Sequence, residues 1–212
     1  MSDGQPTYFD QAAATWDDKP ARVALMKAVV EAIIRQIQPT SAMDMLDYGC
    51  GTGLASFFLA PHVGTVTAAD SSDGMLAVLR KKIDQSGPKT IRAIRLDLEH
   101  DPLPDDRYDL VVTNMVMHHV AAPKRMLRNF QALLRPGGVL CVSDLDTEPG
   151  VFHDPEAAAT VHHHGFDRQE FRELLERAGF HEVQDTTAHT TRKPVADGGE
   201  RDFPVFLMTG RK

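Results

Sequence analysis

The stretch that decides the fold reads MDMLDYGCGTGLASFFLAPHVGTVTAAD, from Met43 to Asp70. A short apolar run containing Asp47 opens into a glycine-rich turn at residues 49–53, an apolar segment then stops at Pro61, and a β-rich run ends at Asp70. This order predicts a strand, a glycine turn, a helix and a second strand. In an open α/β sheet, ligands bind beyond the carboxyl ends of the strands. Glycines at that edge let a ligand approach the backbone closely.

The glycine turn departs from the dinucleotide-binding fingerprint G-x-G-x-x-G/A, which carries an acidic ribose-binding residue about 20 positions later. Gly49 and Gly51 match the fingerprint, but Gly53 comes one place early and Leu54 stands where Gly or Ala is needed. The missing small residue is the one that allows close helix packing under a pyrophosphate. Asp70 nevertheless stands where a ribose-hydroxyl acceptor is expected. The turn therefore predicts a nucleoside ligand without phosphates.

With Asp70 closing the second strand, the D-x-G-x-G-x-G motif of residues 47–53 resembles the class I S-adenosylmethionine-dependent methyltransferases. The resemblance runs from about Tyr8 to the C-terminus. It recurs in His118-His119, which follow a strand, and in the R-P-G-G-x-L pattern of residues 135–140. These later segments resemble a group of small-molecule methyltransferases that includes quinone-biosynthesis enzymes. The implied fold class is α/β, a Rossmann-like doubly wound sheet of seven strands. The sheet is expected to be mostly parallel, with an antiparallel last strand and helices on both faces.

A chain of 212 residues fits one domain, so a single methyltransferase domain is expected over residues 1–212. By the resemblance, residues 8–38 form an N-terminal lid and helix region that caps the cofactor pocket. The alternative is that Phe9 and Trp16 only anchor the N-terminus to the core. Residues 144–166 read as an irregular insertion, which in the family often shapes the acceptor pocket.

Apolar spacing and Gly/Pro boundaries predict the remaining elements. Helices are expected at residues 20–38, 72–86, 124–134 and 168–178. Strands are expected at residues 91–96, 108–115, 139–143, 181–187 and 203–209. The last two strands are joined without a helix, which predicts an antiparallel pair at the sheet edge. Residues 1–7 are expected to be disordered.

Composition and motifs narrow the class of molecule that accepts the methyl group. The net charge is −7, and no Lys/Arg-rich stripe offers the basic footprint of a nucleic-acid binder. The segment T-N-M-V at residues 113–116 lacks the N/D-P-P-Y/F sequence of amino-methylating DNA enzymes, and no Pro-Cys pair is present. A small-molecule acceptor is therefore expected. No apolar run reaches the length of a membrane span, and the N-terminus does not read as a signal peptide, so a cytoplasmic location is expected.

The resemblance assigns the first cofactor contacts to the glycine turn and its flanking carboxylates. Asp47 is expected to hold the cofactor's ammonium directly or through water, the alternative being a helix or turn cap. Gly49, Cys50 and Gly51 are expected to lie against the methionine portion and the ribose. For the Cys50 side chain, a buried thiol is the simpler role. Asp70 is expected to accept hydrogen bonds from both ribose hydroxyls.

The adenine and methyl ends of the cofactor are assigned in the same way. Ser71 and Met75 are expected to flank the adenosine, although Met75 fits the core equally well. Asp97 follows the third predicted strand and is expected to accept from the adenine amino group, with the backbone at Leu98 reading the ring edge. Asn114 ends the next strand, where family members face the methionine moiety and the transferring methyl group.

A catalytic base is needed only if the acceptor must lose a proton. His118 and His119 are the candidate catalytic residues, because they follow the strand that ends at Asn114 and imidazole titrates near neutrality. The pair occurs in family members with varied substrates, so a scaffold or cofactor-side role is the alternative. The run His162–His164, with His153 nearby, raises the question of a metal. Adjacent residues rarely project to one point and no known ligand spacing is completed, so no metal is predicted.

Three hypotheses remain. The first is an S-adenosylmethionine-dependent methyltransferase that acts on a small molecule. The second is a non-catalytic scaffold of the same fold that binds S-adenosylmethionine or S-adenosylhomocysteine. The third is a nicotinamide-dependent oxidoreductase, which Leu54 and the missing third small residue disfavour.

Overall fold

The protein forms one sheet with helices on both faces. The computed structural model describes residues 7–195 and 199–212, so the expected disorder of residues 1–7 lies outside the described residues except at Thr7. The strands are β1 (Asp44–Tyr48), β2 (Thr65–Asp70), β3 (Ile91–Arg95), β4 (Tyr108–Asn114), β5 (Leu134–Leu145), β6 (His181–Pro194) and β7 (Glu200–Arg211). They form a seven-stranded sheet in the order β3-β2-β1-β4-β5-β7-β6. Strand β7 runs antiparallel to both of its neighbours. The predicted fold class is confirmed.

The described residues form seven α-helices. They are α1 (Tyr8–Ala12), α2 (Pro20–Ile37), α3 (Leu54–Leu59), α4 (Asp73–Ser86), α5 (Pro123–Leu133), α6 (Pro155–Ala158) and α7 (Arg168–Arg177). Of these, α1 and α2 precede β1. Short 3₁₀ helices occupy Ala13–Asp18, Ala60–His62 and Met117–His119. Within the described ranges, none of the helices combines the length and the apolar composition that crossing a bilayer requires.

The strand order reverses beside β1, and this reversal positions the site. Strand β1 pairs in parallel with β2 on one side and with β4 on the other. Tyr48 at the end of β1 lies opposite both Ala69 and Thr113, so the carboxyl ends of the three strands are level. Such a switch point leaves a crevice beyond the strand ends, where open α/β sheets bind ligands.

Alternate side chains of the buried strands pack into two apolar layers, one on each face of the sheet. In β1, Met45 packs with the cluster that includes Ile33 of α2, and Leu46 packs with the opposite cluster that includes Phe130 of α5. Both strand side chains are fully buried. Parallel strands covered on both faces read as near-continuous apolar runs, which explains why the central strands were predictable.

The edge of the sheet differs from the sequence prediction. Strand β5 runs from Leu134 to Leu145, so the R-P-G-G segment belongs to the strand and not to a connecting turn. Strand β6 continues to Pro194, well past the predicted end at Thr187. Its side chains are mostly exposed or half-buried, because β6 is an edge strand that pairs only with β7. An edge strand with polar side chains lacks the apolar signal on which the prediction relied.

Candidate active site

The glycine turn and the carboxylate of Asp70 form one hydrogen-bonded unit. The backbone N–H groups of Gly49 and Cys50 donate to the carbonyl oxygen of Ala69, at 2.8 and 3.0 Å. Asp70 Oδ2 accepts from the Gly51 N–H at 2.7 Å, and its Oδ1 accepts from the Ser72 N–H at 2.9 Å. Burial raises the pKa of Asp70, and these backbone donors oppose that rise. An ionised carboxylate has about four acceptor positions, so about two remain for a ligand.

Two glycines of the turn are required for different reasons. Gly51 has φ +54°, and a Cβ there would meet only Met75 Sδ at 3.9 Å and Trp16 Nε1 at 4.0 Å. The space beside Gly51 is therefore bordered by these two side chains and admits close approach to the backbone. At Gly49 a Cβ would lie 2.3 Å from Val116 Cγ2, so packing already demands glycine.

The side chains of Asp47, which precedes the turn, and Cys50, which belongs to it, are both buried. Asp47 is 1% exposed and accepts a hydrogen bond from the Ser56 hydroxyl at 2.6 Å. Burial raises the pKa of Asp47 to about 6; the Ser56 hydrogen bond opposes this rise, and the charge of Asp70 adds to it. The side chain of Cys50 belongs to the apolar core, and burial raises the pKa of its thiol well above the ordinary range. Any cofactor contact of Cys50 would therefore use its backbone.

The predicted adenine contacts lie beyond β3 and at the start of α4. Asp97 accepts from the Glu99 N–H at 3.0 Å, and its Oδ2 lies 2.8 Å from His100 Nδ1. The Leu98 N–H already donates to the Tyr48 hydroxyl at 3.0 Å, so this donor is not free to read an adenine edge. The other two predicted residues are Ser71, which is exposed, and Met75, which is 1% exposed beside Gly51.

At the end of β4, Asn114 leaves a donor without a partner. Its Oδ1 accepts from the Ser143 hydroxyl at 2.9 Å, whereas its buried Nδ2 has no hydrogen-bond partner among the described residues. The following residue, Met115, adopts a left-handed conformation with φ 58°. An unpaired buried donor costs about 1–3 kcal/mol, and an oxygen of a bound ligand would satisfy it.

The two histidines after β4 have fixed orientations. His118 is 1% exposed, and its Nδ1 lies 2.7 Å from Asp144 Oδ1. Its Nε2 is buried and has no hydrogen-bond partner within the described part of the chain. His119 Nδ1 lies 2.8 Å from the carbonyl oxygen of Thr160. Burial and the neighbouring His118 lower the pKa of His119 to about 4, so His119 is neutral at pH 7 and is a weak base.

A third histidine joins this pair from a distant segment. The His153 ring centroid lies 4.9 Å from that of His118 and 5.5 Å from that of His119. Burial, followed by the charges of those two rings, lowers the pKa of His153 to about 3. The run His162–His164 diverges instead. His163 Nε2 lies 3.1 Å from the Val120 carbonyl oxygen, and the exposed His164 lies near Glu148.

The N-terminal segment lies against the start of α4. Asp10 accepts from the Ser72 hydroxyl at 2.6 Å and from the Gly74 N–H at 2.9 Å. Partial burial would raise the pKa of Asp10, but these bonds and those with Thr7 outweigh it and lower the value to about 2. The Phe9 ring packs edge-on against His119, with centroids 5.2 Å apart.

A second contact joins the same segment to the glycine turn. Asp17 accepts from the Thr52 hydroxyl at 2.6 Å and forms a 2.6 Å ion pair with Lys82 of α4. Lys82 also donates to the Thr52 carbonyl oxygen at 2.7 Å. Residues 8–18 therefore bridge the turn after β1 and the helix after β2.

A cavity of about 180 Å³ is lined by Leu54, Phe57, Phe58 and Lys82, none of which is a predicted cofactor contact.

Several site residues were missed in the sequence. Asp144 is the penultimate residue of the apolar strand β5, but that strand was predicted to stop at Ser143, which left Asp144 outside it. His153 was noticed only as a neighbour of the three consecutive histidines. Asp10 gave no signal in the sequence of a role at the site, because the two partners that connect it to α4, Ser72 and Gly74, lie more than 60 residues away in the chain.

Comparisons with known proteins agree with this geometry. Residues 45–138 match a family model described as a methyltransferase domain. The ubiquinone biosynthesis O-methyltransferase of Coxiella burnetii is 34% identical over 141 residues, which are 66% of this chain and 60% of that protein. The demethylmenaquinone methyltransferase of Clavibacter sepedonicus is 31% identical over 118 residues, which are 56% of this chain and 47% of that protein. The chain thus spans about half to three-fifths of the length of these relatives.

A solved structure gives the same result for the fold. A SAM-dependent methyltransferase from Aquifex aeolicus superposes with a TM-score of 0.67 at 22% identity, covering 94% of this chain and 97% of that chain. In the sequence of residues 45–138 and in its fold, the chain is similar to the class I S-adenosylmethionine-dependent methyltransferases, as its motifs predicted. S-adenosylmethionine is the cofactor of this class.

Proposed function

We propose that the chain transfers a methyl group from S-adenosylmethionine to a small-molecule acceptor. One observation carries the proposal. The Asp70 carboxylate is fixed at the end of β2 by the Gly51 and Ser72 N–H groups, and each of its oxygens retains an acceptor position beside Gly51, where Met75 and Trp16 border the space that a side chain would fill. Two charged acceptors next to a bare backbone fit the two ribose hydroxyls of a nucleoside.

The remaining cofactor contacts follow from the same crevice. Asp47 is buried beneath the turn, where its charge favours the cofactor's ammonium without direct contact. The unpaired Nδ2 of Asn114 fits an oxygen of the methionine moiety. Met75 and Trp16, which border the space beside Gly51, would pack against the adenosine and the ribose. Ser71 and Asp97 would contact the adenine end of the cofactor, with Asp97 as the acceptor for the amino group.

The N-terminal segment is proposed to act as a lid. Residues 8–18 contact both sides of the crevice through Asp10 and Asp17, and Trp16 lies directly over Gly51. Release of these partly buried contacts would open the crevice for cofactor exchange. Closure would exclude water from the reacting groups, which strengthens electrostatic interactions inside the site.

The chemistry requires little from protein side chains. S-adenosylmethionine supplies an activated methyl group, and the transfer is an in-line displacement for which the protein provides orientation. His118 and His119 follow β4, and their Nδ1 protons are committed to Asp144 and Thr160. Each ring therefore offers an Nε2 lone pair that can receive a proton or bind a cation.

Three facts support a small-molecule acceptor. The chain carries a net charge of −7, and it lacks the motifs of the DNA-methylating classes. Both relatives described above are named for steps in quinone biosynthesis, which are small-molecule reactions. Residues 144–166 lie beside His118 through the His162 and His163 N–H groups, which donate to the His118 carbonyl oxygen. This placement suits the proposed role of the segment in shaping the acceptor pocket.

The test is methyl transfer from labelled S-adenosylmethionine to a panel of phenols, hydroquinones, amines and thiols. Wild-type protein is expected to label at least one acceptor class, and Asp70→Ala is expected to lose most of that labelling at limiting cofactor. Asp73→Ala, which changes an exposed neighbouring carboxylate, is the matched control and should label as wild type. Tight cofactor binding with no turnover on any class would support the scaffold hypothesis instead.

A further inference from the structure

Three histidines from two segments meet at the end of β4. His118 and His119 belong to the 3₁₀ helix after β4, and His153 lies between β5 and α6. One ligand nitrogen of each residue lies within 4.8 Å of the other two. The His118 and His119 ring centroids are 4.0 Å apart, and His153 completes the triangle. Three imidazoles brought together from two places in the chain make a candidate metal-binding arrangement.

The hydrogen bonds of the first two rings select the tautomer that a metal needs. The carboxylate of Asp144 and the carbonyl of Thr160 are acceptors, so His118 and His119 each carry a proton on Nδ1. Their Nε2 atoms therefore hold lone pairs. Metal-binding histidines almost always donate their other ring N–H to a carboxylate or a carbonyl, which fixes the ring orientation and raises its basicity.

The His118 Nε2 atom is the second, independent indication. The His118 side chain is 1% exposed, and Nε2 has no hydrogen-bond partner among the described residues. Leaving a buried polar atom unsatisfied is unfavourable, so such an atom marks either a missing ligand or strain. Because Nδ1 is held by Asp144, the unsatisfied nitrogen is the one available to the other two rings.

We propose that His118, His119 and His153 bind a divalent transition-metal ion, with Asp144 and Thr160 as the residues that orient the first two ligands. Imidazole nitrogens favour zinc, copper, nickel and iron over magnesium and calcium. Nitrogens bound tetrahedrally to zinc at about 2.0–2.1 Å lie about 3.3 Å apart. The present separations are at most 4.8 Å, so each pair of ligand nitrogens would approach by no more than about 1.5 Å when the ion binds. The half-buried His153, on a loop, has the most freedom to move.

The surroundings of the cluster suit a partly enclosed ion. The Phe9 ring packs on His119 and the Phe152 ring on His153, so apolar groups limit water access from two sides. Lys193 is close enough to His153 to oppose a cation, whereas the buried Asp144 carboxylate behind His118 favours one. Three protein ligands leave a fourth position open, as in catalytic zinc sites. The cluster itself lies beyond the end of β4, at the same sheet edge as Asn114.

Metal binding is tested on the full chain without an affinity tag, after treatment with a chelator. Calorimetry with ZnCl₂ is expected to show one equivalent bound, and CoCl₂ is expected to give the visible absorption of a tetrahedral site. His153→Gln is expected to weaken zinc binding by at least tenfold, and zinc should raise the melting temperature of wild type but not of this variant. MgCl₂ should not compete.

The matched control is His164→Gln, because His164 is an exposed histidine of the neighbouring run and should leave zinc affinity unchanged. His119→Gln provides a second ligand variant if His153→Gln melts below wild type in the absence of metal. Absence of stoichiometric zinc binding by wild type would overturn the proposal. So would wild-type affinity in both ligand variants, or loss of binding in His164→Gln alone. The outcome is independent of cofactor binding, which is measured separately with S-adenosylhomocysteine.

Discussion

Replacing Asp70 with alanine is expected to weaken S-adenosylhomocysteine binding by at least tenfold. Each oxygen of the Asp70 carboxylate already accepts one backbone N–H, at 2.7 and 2.9 Å, and retains about one further acceptor position for a ribose hydroxyl. A hydrogen bond to a charged group contributes about 1.5–3 kcal/mol. One such bond at the lower end corresponds to a loss of more than about tenfold in affinity, and two would cost about 100-fold or more.

The Asp70→Ala variant also loses the bonds to Gly51 and Ser72, so a loss of affinity alone does not prove ribose recognition. The 2′-deoxyribose analogue of S-adenosylhomocysteine separates the two effects by calorimetry. In wild type, removal of the hydroxyl should cost roughly tenfold in affinity, and in Asp70→Ala it should cost almost nothing. Asp73→Ala should behave as wild type with both ligands. The reasoning is refuted if Asp70→Ala binds like wild type, or if the hydroxyl matters equally in both proteins.

Three further predictions follow from single contacts. The pKa of Asp47 is about 6, so lowering the pH from 7.5 to 5 protonates Asp47 and removes the charge that favours the cofactor's ammonium. The affinity measured by calorimetry should therefore fall several-fold in wild type and less in Asp47→Asn. Gly49→Ala places a Cβ 2.3 Å from Val116 Cγ2 at φ +70°, which should cost about 1–3 kcal/mol of unfolding free energy and lower the melting temperature by several degrees, with partial recovery in Gly49→Ala/Val116→Ala. Asp17→Asn breaks the 2.6 Å ion pair with Lys82, so S-adenosylhomocysteine should dissociate about three- to tenfold faster, as followed by fluorescence of the single tryptophan. An unchanged pH profile, melting temperature or dissociation rate would contradict the corresponding contact.

The charge of Asp47 is expected to have opposite effects on protein stability and on cofactor affinity, and this difference provides a check on its assignment. Its pKa in the folded protein is raised above the usual value, so its contribution to stability is present at low pH and is lost as the pH rises through about 6. Asp47→Asn should therefore melt no lower than wild type at pH 7.5, while its cofactor affinity is reduced. A variant that unfolds more readily would show that the negative charge itself is required for the fold.

The central sheet was predictable because its signals are local. Strands β1, β2 and β4 are apolar runs, and burial on both faces requires that composition. Glycine follows β1, and β2 and β4 end in aspartate and asparagine. Strand β6 was predicted seven residues too short, since its polar side chains form an exposed edge and its conformation depends on backbone pairing with β7. Pairing between strands is a non-local interaction that composition does not encode.

The candidate site likewise combines residues with local sequence signals and residues whose contacts are non-local. Asp70, Asp97 and Asn114 could be proposed because a polar residue at or just beyond the end of a predicted strand is visible in the sequence. The contacts of Asp10 with the start of α4, and of His153 with the pair after β4, join residues far apart in the chain. Such contacts depend on where the connecting segments pack, so only the folded structure shows them.

The most direct test compares two ligands in the same calorimeter. The central claim is that the glycine turn and Asp70 recognise an adenosine that carries no phosphate, because Leu54 stands where a pyrophosphate site needs a small residue. S-adenosylhomocysteine is predicted to bind with micromolar affinity and one-to-one stoichiometry, and NAD is predicted not to bind. Binding of NAD at comparable affinity, or no binding of S-adenosylhomocysteine, would contradict the account.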